Sequence, residues 1–492
     1  MIPKMFYSIN WILKNKKILK KINKGIERET LRIDKNGNLS KTLHPKSLGS
    51  SLTHKWITTD FSENLIEFIT PKTNNTNKLI NILLDLYIYT TKNLFKEQLW
   101  PLSIPPYYIN NKKKIQIAKY GKSRLGKKKE LYRIGLKNRY GYYKNIISGI
   151  HYNFSLPKKI WKKWYNTDKV INKNMISKGY MHIIRNYYRF GYIIPYIFGS
   201  SPTISNKIIK KKNINFNFST SIRSSKFVYG NNISKKLNIK FNSIKEYIKK
   251  IEKALKTKEK KFKNIKEKKN QINSNLIQLE NELYVQVRPK QNAKKKETQI
   301  EALKKRGIKY IEIRSLDVNP FSPIGIKKHQ ILILDLFLIW CLLIKSPFIS
   351  KIEMKYIYKN WENICIKGKK KKQKIYVKKN KKKKFIKLGI QIIRQLKIIA
   401  KMLDKNTKKN EYKKSCKKII KMFQNNNMTY SSKILKMIKK YGIKKAGLNL
   451  SNKYFKKYKN KLFKNIKKTD FLKEKLISLK MNKIIEKHNL KY

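Results

Sequence analysis

Acidic side chains are rare in this sequence, and several of them occur in strand-like segments. The 492 residues include 28 Asp and Glu against 120 Lys and Arg, yet the stretch 52–71 alone contains Asp60, Glu63 and Glu67. Glu67 interrupts the apolar run 65–69, which predicts a strand with apolar side chains on both faces. An ionised carboxylate there is costly unless a cation or hydrogen bonds compensate it. An edge strand with Glu67 in water would give the same pattern.

Three other segments alternate in the manner of strands, and one face of each is polar. The ionisable residues on these faces are Glu27 and Glu29, His151, and Glu312 and Arg314. Each alone could be a solvent-facing hairpin, a core histidine or a surface ion pair. Their coincidence in an acid-poor chain favours a sheet that gathers carboxylates on one side, where like charges repel unless a cation compensates them.

The chemistry of this set is that of a divalent cation bound by oxygen. Carboxylates with at most one imidazole and no thiolate suit Mg²⁺ or Mn²⁺ better than Zn²⁺. Mg²⁺ held by carboxylates beside an arginine is a common arrangement for binding nucleotide phosphates. The sequence contains neither GxxxxGK[ST] nor GxGxxG, so neither a P-loop nor a Rossmann nucleotide site is predicted.

The elements that must position these residues are strands and helices. Periodicity predicts strands at 25–34, 65–69, 146–155, 271–289 and 307–317. It predicts helices at 5–24, 77–96, 180–198 and 243–266, and a buried helix at 331–344. An Asn-Gly turn after residue 34 suggests a hairpin. The segment 100–139 has loop chemistry, and the lysine tracts at 368–387 are typical of a solvated loop or low-complexity insertion.

Two acidic residues of the predicted strand 271–289 are treated as structural. The alternation places Glu280, Glu282, Tyr284, Gln286 and Arg288 on one face. Glu280 and Glu282 are ordinary for a solvent-facing strand, so we leave them outside the candidate site.

The composition is strongly basic, with a formal net charge of +92. Such a charge ordinarily suggests a nucleic-acid or anionic membrane partner. Here the lysines occur along the whole chain, and the enriched residue types are those that an AT-rich genome encodes, so composition alone explains the charge. We expect no nucleic-acid and no membrane partner; a basic nucleic-acid-binding protein remains the alternative from another class.

The remaining features predict a cytoplasmic protein. Cys341, Cys365 and Cys416 are widely spaced and form no CxxC motif, which is typical of free thiols in a reducing compartment. The first residues lack the apolar stretch and cleavage site of a signal peptide. The apolar run 331–344 contains Asp335 and is too short to span a bilayer.

Several motifs, in order and spacing, closely resemble the proteobacterial type of glutamate–cysteine ligase, also called γ-glutamylcysteine synthetase. They are GIERETLRID, SLTHKWITTDFSENLIEFITP, LYRIGLKNRYG, SGIHYNFSLP, IRNYYRFGYIIPYIFGSSP, QINSNLIQLENELY and YIEIRSLDVNPFSPIG. The resemblance runs from Met1 to about residue 345 and continues more faintly in LGIQIIRQLKIIAKMLD and MTYSSKILKMI.

The resemblance implies a fold, a reaction and an organisation of the chain. The fold would be α+β, a largely antiparallel sheet curved into a funnel and flanked by helices, related to glutamine synthetase, with a helical carboxyl-terminal part. The reaction would join the γ-carboxyl group of L-glutamate to L-cysteine with ATP as co-substrate and Mg²⁺ as metal. Residues 1–345 would form the catalytic core, and 346–492 a helical, lysine-rich part packed on it and not independent. We expect a monomer with small-molecule substrates.

The resemblance also assigns roles to residues. Metal and phosphate ligands would be Glu27, Glu29, Asp60, Glu67, His151 and Glu312. Arg314 would lie near the transferred phosphoryl group of ATP, and turnover would depend on Glu67 and Arg314. The cysteine pocket would be formed by Phe61, Tyr132, Leu136, Arg223, Tyr229 and Tyr284. Asn145 departs from the family pattern, which has the longer glutamine beside the cysteine site.

Two alternatives to this reaction stay open at the level of sequence. A related carboxylate–amine ligase would use another amine as acceptor, because Arg223, Tyr229 and Tyr284 fit an amino-acid carboxylate without specifying a thiol. A decayed enzyme would keep the fold without the activity.

Overall fold

An antiparallel sheet forms the centre of the molecule, and helices surround it. The structure is a computed structural model that describes residues 2–108, 115–205, 215–228, 232–294, 296–378 and 381–487. The strands are β1 (Asn23–Asp34), β2 (Ile57–Thr59), β3 (Leu65–Ile69), β4 (Glu97–Leu99), β5 (Gly149–Ser155), β6 (Val287–Lys290), β7 (Tyr310–Asp317), β8 (Lys374–Lys378) and β9 (Lys381–Lys384). The described residues form a seven-stranded sheet in the order β2-β3-β1-β5-β7-β6, with β4 also paired to β1, and a separate β8-β9 hairpin. All of these pairings are antiparallel.

The helices of the amino-terminal two thirds pack around this sheet. They are α1 (Ile9–Leu19), α2 (Thr76–Asn93), α3 (Arg124–Tyr140), α4 (Tyr142–Asn145), α5 (Lys158–Tyr165), α6 (Lys173–Phe190), α7 (Ile193–Phe198), α8 (Asn232–Leu237), α9 (Ile244–Lys256), α10 (Gln299–Arg306) and α11 (Lys328–Leu343). The carboxyl-terminal helices are α12 (Lys351–Lys367), α13 (Phe385–Asp404), α14 (Glu411–Gln424), α15 (Tyr430–Tyr458) and α16 (Lys468–Lys487). This arrangement confirms the predicted α+β class, with an antiparallel sheet, flanking helices and a helical carboxyl-terminal part.

The apolar run that contains Glu67 forms strand β3, as predicted. Leu65 is fully buried, and β3 lies between β2 and β1. The edge-strand alternative is therefore wrong, because both sides of β3 are hydrogen-bonded to neighbours. The turn after β1 is also present, with Gly37 at φ +75°. The predicted hairpin is reduced to a bridge between Ile33 and Leu39, and β4 takes the place of its second strand.

Helix α3 corrects the expectation of a loop across 100–139. It covers Arg124–Tyr140, and the Ser123 side chain caps it by accepting a hydrogen bond from the Gly126 N–H at 3.1 Å. Basic residues of the helix lie on all of its sides and leave no apolar stripe, so the sequence lacks the apolar periodicity that would predict a helix. Gly126 serves close packing, since a Cβ there would lie 2.4 Å from the Tyr120 carbonyl oxygen.

The expectation of a strand across 271–289 is also wrong for most of its length. Only β6, at Val287–Lys290, is a strand, and a 3-10 turn occupies Glu280–Glu282. Glu282 is fully buried in an ion pair with Arg139 at 2.8 Å. Glu282 is therefore a buried partner of Arg139 and not a solvent-facing residue of a strand.

The other predicted helices are present with different ends. α1, α2, α6 with α7, α9 and α11 occupy the predicted helical segments. The largest difference follows α9, where 257–266 is irregular apart from a 3-10 turn at Lys260–Phe262. Within the described residues, no helix is both long and apolar enough to cross a membrane.

The lysine-rich segment 368–387 is more ordered than predicted. It contains β8 and β9 and the start of α13, although most of its lysines are exposed and 379–380 lie outside the described residues. α13 packs against α1, and α12 against α7. The carboxyl-terminal helices therefore contact the amino-terminal elements, while the boundary at 345 stays a prediction.

Candidate active site

One face of the sheet lines a cavity of about 550 Å³. Every site residue predicted from the sequence lines this cavity, apart from Tyr229, which lies outside the described residues. We call two parts of its wall by name. The acidic face consists of Glu27, Glu29, Asp60, Glu67, His151 and Glu312. The aromatic wall consists of Phe61, Tyr132, Leu136, Asn145 and Tyr284.

Strand register brings the acidic face together. Glu29 on β1 lies directly opposite Glu67 on β3, and Glu27 lies opposite His151 on β5. Side chains directly opposite each other in antiparallel strands have Cβ atoms about 5 Å apart. Residues distant in sequence therefore meet in one cluster of carboxylates around one imidazole.

His151 is the centre of this cluster. Its Nδ1 lies 3.1 Å from Glu27 Oε2 and 3.7 Å from Glu312 Oε1, and its Nε2 lies 3.7 Å from Glu29 Oε1. The Asn153 amide donates to Glu27 Oε1 at 2.9 Å. Because both ring nitrogens lie within 3.7 Å of carboxylate oxygens, acids flank the ring on both edges.

Burial and mutual repulsion shift the pKa values of the carboxylates. Burial raises the pKa of Glu67 well above its usual range, and Asp60, Glu27 and Glu29 add to this effect. Burial and Glu29 also raise the pKa of Asp60. The residues around Glu67 and Asp60 therefore do not fully stabilise the ionised form of these two carboxyl groups.

Glu312 and Glu27 are shifted the other way. Burial opposes ionisation of Glu312, but Lys290 and Arg314 outweigh it and lower its pKa. For Glu27, burial is likewise outweighed, mainly by the hydrogen bond with His151, and its pKa is lowered. Carboxylates on one face therefore differ in proton affinity according to whether a base or another acid lies beside them.

The cluster fits a divalent cation. One ligand atom from each of Glu27, Glu67 and His151 lies within 4.8 Å of the others. His151 Nε2 is buried and, among the described residues, has no hydrogen-bond partner. Two carboxylates and one imidazole, with further carboxylates beside them, form an oxygen-rich donor set suited to Mg²⁺ or Mn²⁺.

A bulge in β7 presents Arg314 to the same cavity. Ile150 pairs with Leu316 but Tyr152 pairs with Ile313, so Arg314 and its neighbour lie opposite the single residue His151. A bulge of this kind redirects a side chain near a functional site. Arg314 donates to Glu312 Oε1 at 3.3 Å and lines the cavity.

Helix α3 adds basic residues that the sequence did not point to. Arg133 donates through Nε to the Asp60 carbonyl, and its Nη2 lies 3.9 Å from Asp60 Oδ1. Lys129, one turn earlier, also lines the cavity, and burial together with Arg133 lowers its pKa to about 8. A spacing of four residues places Lys129 and Arg133 on one face of a helix. The sequence does not predict this shared face, because the segment does not read as a helix.

Two further basic residues come from β6. Arg288 pairs with Glu312 across the β6–β7 ladder, and Lys290 follows on the same face. Arg288 was on the polar face of the predicted strand 271–289, whereas Lys290 lies one residue beyond the predicted end, so the alternation could have pointed only to Arg288. Basic side chains therefore border the acidic face on the α3 side and on the β6 side.

The aromatic wall comes from α3, α4, the loop before β6 and, for Phe61, the turn between β2 and β3. The Tyr284 hydroxyl donates to Asn145 Oδ1 at 3.4 Å, and the Asn145 amide donates to the Gly141 carbonyl at 2.6 Å. Tyr132 and Leu136, one turn apart on α3, are both buried. The wall therefore combines apolar surface with a hydroxyl and an amide.

Arg223 reaches the cavity between the acidic face and the aromatic wall. Its Nη1 donates to the Arg314 carbonyl at 3.0 Å. A Cβ at Gly149 would lie 1.8 Å from Arg223 Nη2, so only glycine lets the guanidinium cross β5 there. The Arg223 N–H donates to Ser201 Oγ, which in turn donates to Asp317 Oδ2 at 2.7 Å.

A second cavity, of about 770 Å³, lies at the end of the sheet beyond Asn153. Its described lining contains six basic side chains and no acidic one: Lys24, Lys72, Lys158, Lys173, Arg306 and Lys309. Aromatic residues also line it, among them Trp161 and Tyr310. Tyr310 precedes Glu312 by two residues on β7, so this basic cavity adjoins the acidic face.

The fold and the cavity together define the class of this protein as a ligase. An antiparallel sheet that combines buried carboxylates with arginines suits phosphoryl transfer, and solved ligases share this architecture. A glutamate–cysteine ligase from Francisella tularensis, solved in complex with AMP, matches with a TM-score of 0.86 and 30% identity, covering 95% of this chain and 94% of that one. A bifunctional glutathione synthetase from Pasteurella multocida shares the fold with a TM-score of 0.74 at 20% identity, covering 97% of this chain and 58% of that one.

The chain belongs to the glutamate–cysteine ligase family. The family model described as glutamate-cysteine ligase matches residues 9–364. Among similar proteins, the glutamate–cysteine ligase of Buchnera aphidicola subsp. Acyrthosiphon pisum (strain Tuc7) is 51% identical, covering 100% of this chain and 98% of that protein. The Proteus mirabilis (strain HI4320) glutamate–cysteine ligase is 41% identical, covering 99% of this chain and 96% of that protein. The predicted resemblance is confirmed along the whole chain.

Proposed function

We propose that this protein joins the γ-carboxyl group of L-glutamate to the amino group of L-cysteine at the expense of ATP. In the first step a γ-carboxylate oxygen attacks the terminal phosphorus of ATP, and ADP leaves. In the second step the cysteine nitrogen attacks the acyl carbon of γ-glutamyl phosphate, loses its proton and displaces phosphate. The product, γ-glutamylcysteine, is the first intermediate of glutathione synthesis.

One observation carries this proposal: the acidic face and the aromatic wall share one cavity, with Arg314 and Arg223 in contact between them. Ligation in two steps requires the phosphoryl group and the acceptor amine to approach the same carboxyl group. Because phosphoryl transfer depends chiefly on positioning and charge neutralisation, two adjacent arginines beside a carboxylate cluster suit it. Arg314 would face the transferred phosphoryl group, and Arg223 the acceptor carboxylate.

The acidic face would hold Mg²⁺, with Mn²⁺ as a substitute. The ligands would be Glu27, Glu29, Asp60, Glu67, His151 and Glu312. The cation would neutralise negative charge on the ATP phosphates. The raised pKa of Glu67, caused by burial and by the neighbouring acids, supports a site whose carboxylates lack enough positive charge of their own.

The second cavity would receive the nucleoside part of ATP. It adjoins the acidic face at Asn153 and Tyr310, and the basic side chains of its lining would bind the phosphates, because the nucleoside itself is neutral. Tyr310 is the partly accessible aromatic residue of this lining and offers a ring on which a base can stack. The phosphates would then extend from this basic cavity toward the acidic face.

The aromatic wall would bind the acceptor. A free amino acid presents a carboxylate, which Arg223 and Tyr284 would bind. Tyr229 belongs to this proposed set but lies outside the described residues. Phe61, Tyr132 and Leu136 would enclose the side chain of the acceptor. The 3.4 Å contact between Tyr284 and Asn145 is long, so a related amine acceptor is the alternative to test.

The deciding experiment follows ATP consumption by the purified protein with Mg²⁺ and L-glutamate, with and without L-cysteine, and identifies the product by mass spectrometry. We expect cysteine-dependent ADP release and γ-glutamylcysteine. Product formed with another amine but not with cysteine would replace the acceptor and keep the reaction class. No product under any condition would contradict the proposed activity.

We also propose a monomeric enzyme of the cytoplasm whose partners are its small-molecule substrates. The three cysteines are free and buried, which suits a reducing compartment. Light scattering at assay concentration tests the monomer, and a larger mass would contradict it.

A further inference from the structure

A fully buried ion pair lies behind the aromatic wall. Arg139 Nη1 at the end of α3 contacts Glu282 Oε1 at 2.8 Å, and neither side chain is accessible to solvent (0% and 0%). Neither residue lines the cavity. The pair joins the two elements that form the wall, since α3 carries Tyr132 and the loop 271–286 carries Tyr284.

Each member of the pair makes further directional contacts. Glu282 also accepts from the Tyr140 hydroxyl at 2.6 Å and, through Oε2, from the Gln278 N–H at 2.6 Å. Arg139 donates through Nε and Nη2 to Gln271 Oε1 at 3.1 and 3.0 Å. The guanidinium also lies over the Phe262 ring, 4.1 Å from its centroid. The loop is therefore tied to α3 at both of its ends.

Gln278 sets the spacing between the loop and the helix. Its amide lies against Gly135, where a Cβ would approach Gln278 Oε1 to 2.0 Å. The amide nitrogen also faces the Tyr132 carbonyl at 3.5 Å. A single methyl group at Gly135 would thus displace the Gln278 amide from its place between the two elements that hold Tyr132 and Tyr284.

We propose that Arg139, Glu282 and Gln278 are positioning residues that fix the width of the aromatic wall and so set the selectivity for the acceptor amino acid; this inference rests on the proposed function. A fully buried ion pair adds little net stability compared with apolar residues of the same size. Its charge-assisted contact, together with the two hydrogen bonds from Arg139 to Gln271 Oε1, instead holds two elements in one relative position. A shift of an ångström at such a site changes binding strongly.

The test compares two buried carboxylates that each pair with an arginine. Glu282→Gln alters the pair behind the wall. Glu97→Gln alters the Arg32–Glu97 pair (2.7 Å; 0% and 8% exposed), whose arginine lies on the opposite face of β1 from Glu27. Both variants leave a buried arginine with a neutral partner, so both should lose stability. Only Glu282→Gln should raise the KM for cysteine, by about five- to tenfold, with the KM values for ATP and glutamate changed less than about twofold.

Two further variants keep the test informative if Glu282→Gln folds poorly. Gly135→Ala leaves no charge unpaired and should raise the KM for cysteine in the same way. Arg139→Lys keeps the charge but loses the second bond to Gln271, and should give an intermediate KM. The ratio of kcat/KM for L-cysteine to that for L-2-aminobutyrate, which lacks the thiol, should fall in all three variants.

The outcomes separate this inference from the proposed reaction. Wild-type protein that forms no γ-glutamylcysteine would contradict the reaction itself. If the wild-type protein is active but the variants at 282, 135 and 97 change the KM values for cysteine, ATP and glutamate alike, the ion pair is merely structural and the inference is overturned. A cysteine-specific change that follows Glu282→Gln and Gly135→Ala, and not Glu97→Gln, would support it.

Discussion

The acidic face and the aromatic wall line the same cavity but are held in place by different means. Five residues of the acidic face stand on strands β1, β3, β5 and β7, whose register is fixed by backbone hydrogen bonds. Four residues of the aromatic wall, all but Phe61, stand on α3, α4 and the loop before β6, and the relative position of these elements depends on side chains such as Arg139 and Glu282. The acidic face is therefore positioned by the topology of the sheet, whereas the aromatic wall depends on a few side-chain contacts.

This contrast predicts where substitutions act. A change on the acidic face removes charge from a site whose backbone is held by the ladder, so chemistry should fail while the fold persists. A change in the aromatic wall should instead alter recognition of the acceptor. The substitutions below are ordered from the largest expected effect to the smallest.

Glu67→Gln and Arg314→Ala should each lower kcat by at least about a hundredfold, because each removes an ionisable group from the proposed site of phosphoryl transfer. Circular dichroism and the thermal midpoint should change little. Glu63→Gln is the matched control from the same segment, since Glu63 accepts the His44 and Lys119 N–H groups at 2.6 Å and does not line the cavity. That control should lower stability and leave kcat near the wild-type value. Normal turnover by either active-site variant would refute its proposed role.

Arg223→Lys should raise the KM for cysteine by about ten- to a hundredfold, because a lysine cannot reproduce the planar fork that binds a carboxylate. The KM for ATP should stay within about twofold. Lys226→Met serves as control, since Lys226 is largely exposed and pairs with Glu362 at 3.7 Å. Equal changes in the KM values for cysteine and ATP would contradict a role of Arg223 in binding the acceptor alone.

The same contrast explains what the sequence could and could not predict. Alternation along a strand placed Glu27 with Glu29, and Glu312 with Arg314, on shared faces, because side chains of a strand repeat every two residues. It could not predict that Glu29 lies opposite Glu67, because register depends on pairing between distant segments. The bulge that redirects Arg314 had no signal of its own. The resemblance to a known family, not periodicity, supplied the full set.

The aromatic wall was the harder half to predict for physical reasons. α3 lacks an apolar stripe, so its sequence does not predict a helix, and the Ser123 cap carries no signal without one. The loop 271–286 alternates like a strand although its Glu282 is satisfied by Arg139 from another element. Arg133 and Lys129 became candidates only when the helix placed them one turn apart beside Asp60. Local pattern is a poor guide where tertiary contacts satisfy polar groups.

Asn145→Gln should lower the KM for cysteine by about two- to threefold. The present amide lies 3.4 Å from the Tyr284 hydroxyl, a long contact, and one more methylene would bring the two groups closer. Asn138→Gln on the preceding helix, α3, is the control, since Asn138 is exposed and donates to the Asn270 carbonyl at 2.8 Å. An increase in the KM for cysteine would indicate that the wall has adapted to the shorter side chain and that glutamine overfills it.

Added salt should have the smallest effect on the cavity and a measurable one on the whole chain. A net charge of +92 destabilises the compact state through self-repulsion, and 0.5 M salt screens exposed charges beyond a few ångströms. We expect the thermal midpoint to rise by about 2 °C or more between 0.05 and 0.5 M NaCl. The KM for cysteine should change less than about twofold, because Arg223 is buried and screened little. An unchanged midpoint would show that repulsion between the lysines does not limit the stability of the fold. If the KM for cysteine changed with salt while the midpoint did not, the salt-sensitive charges would lie at the proposed acceptor site and not on the surface.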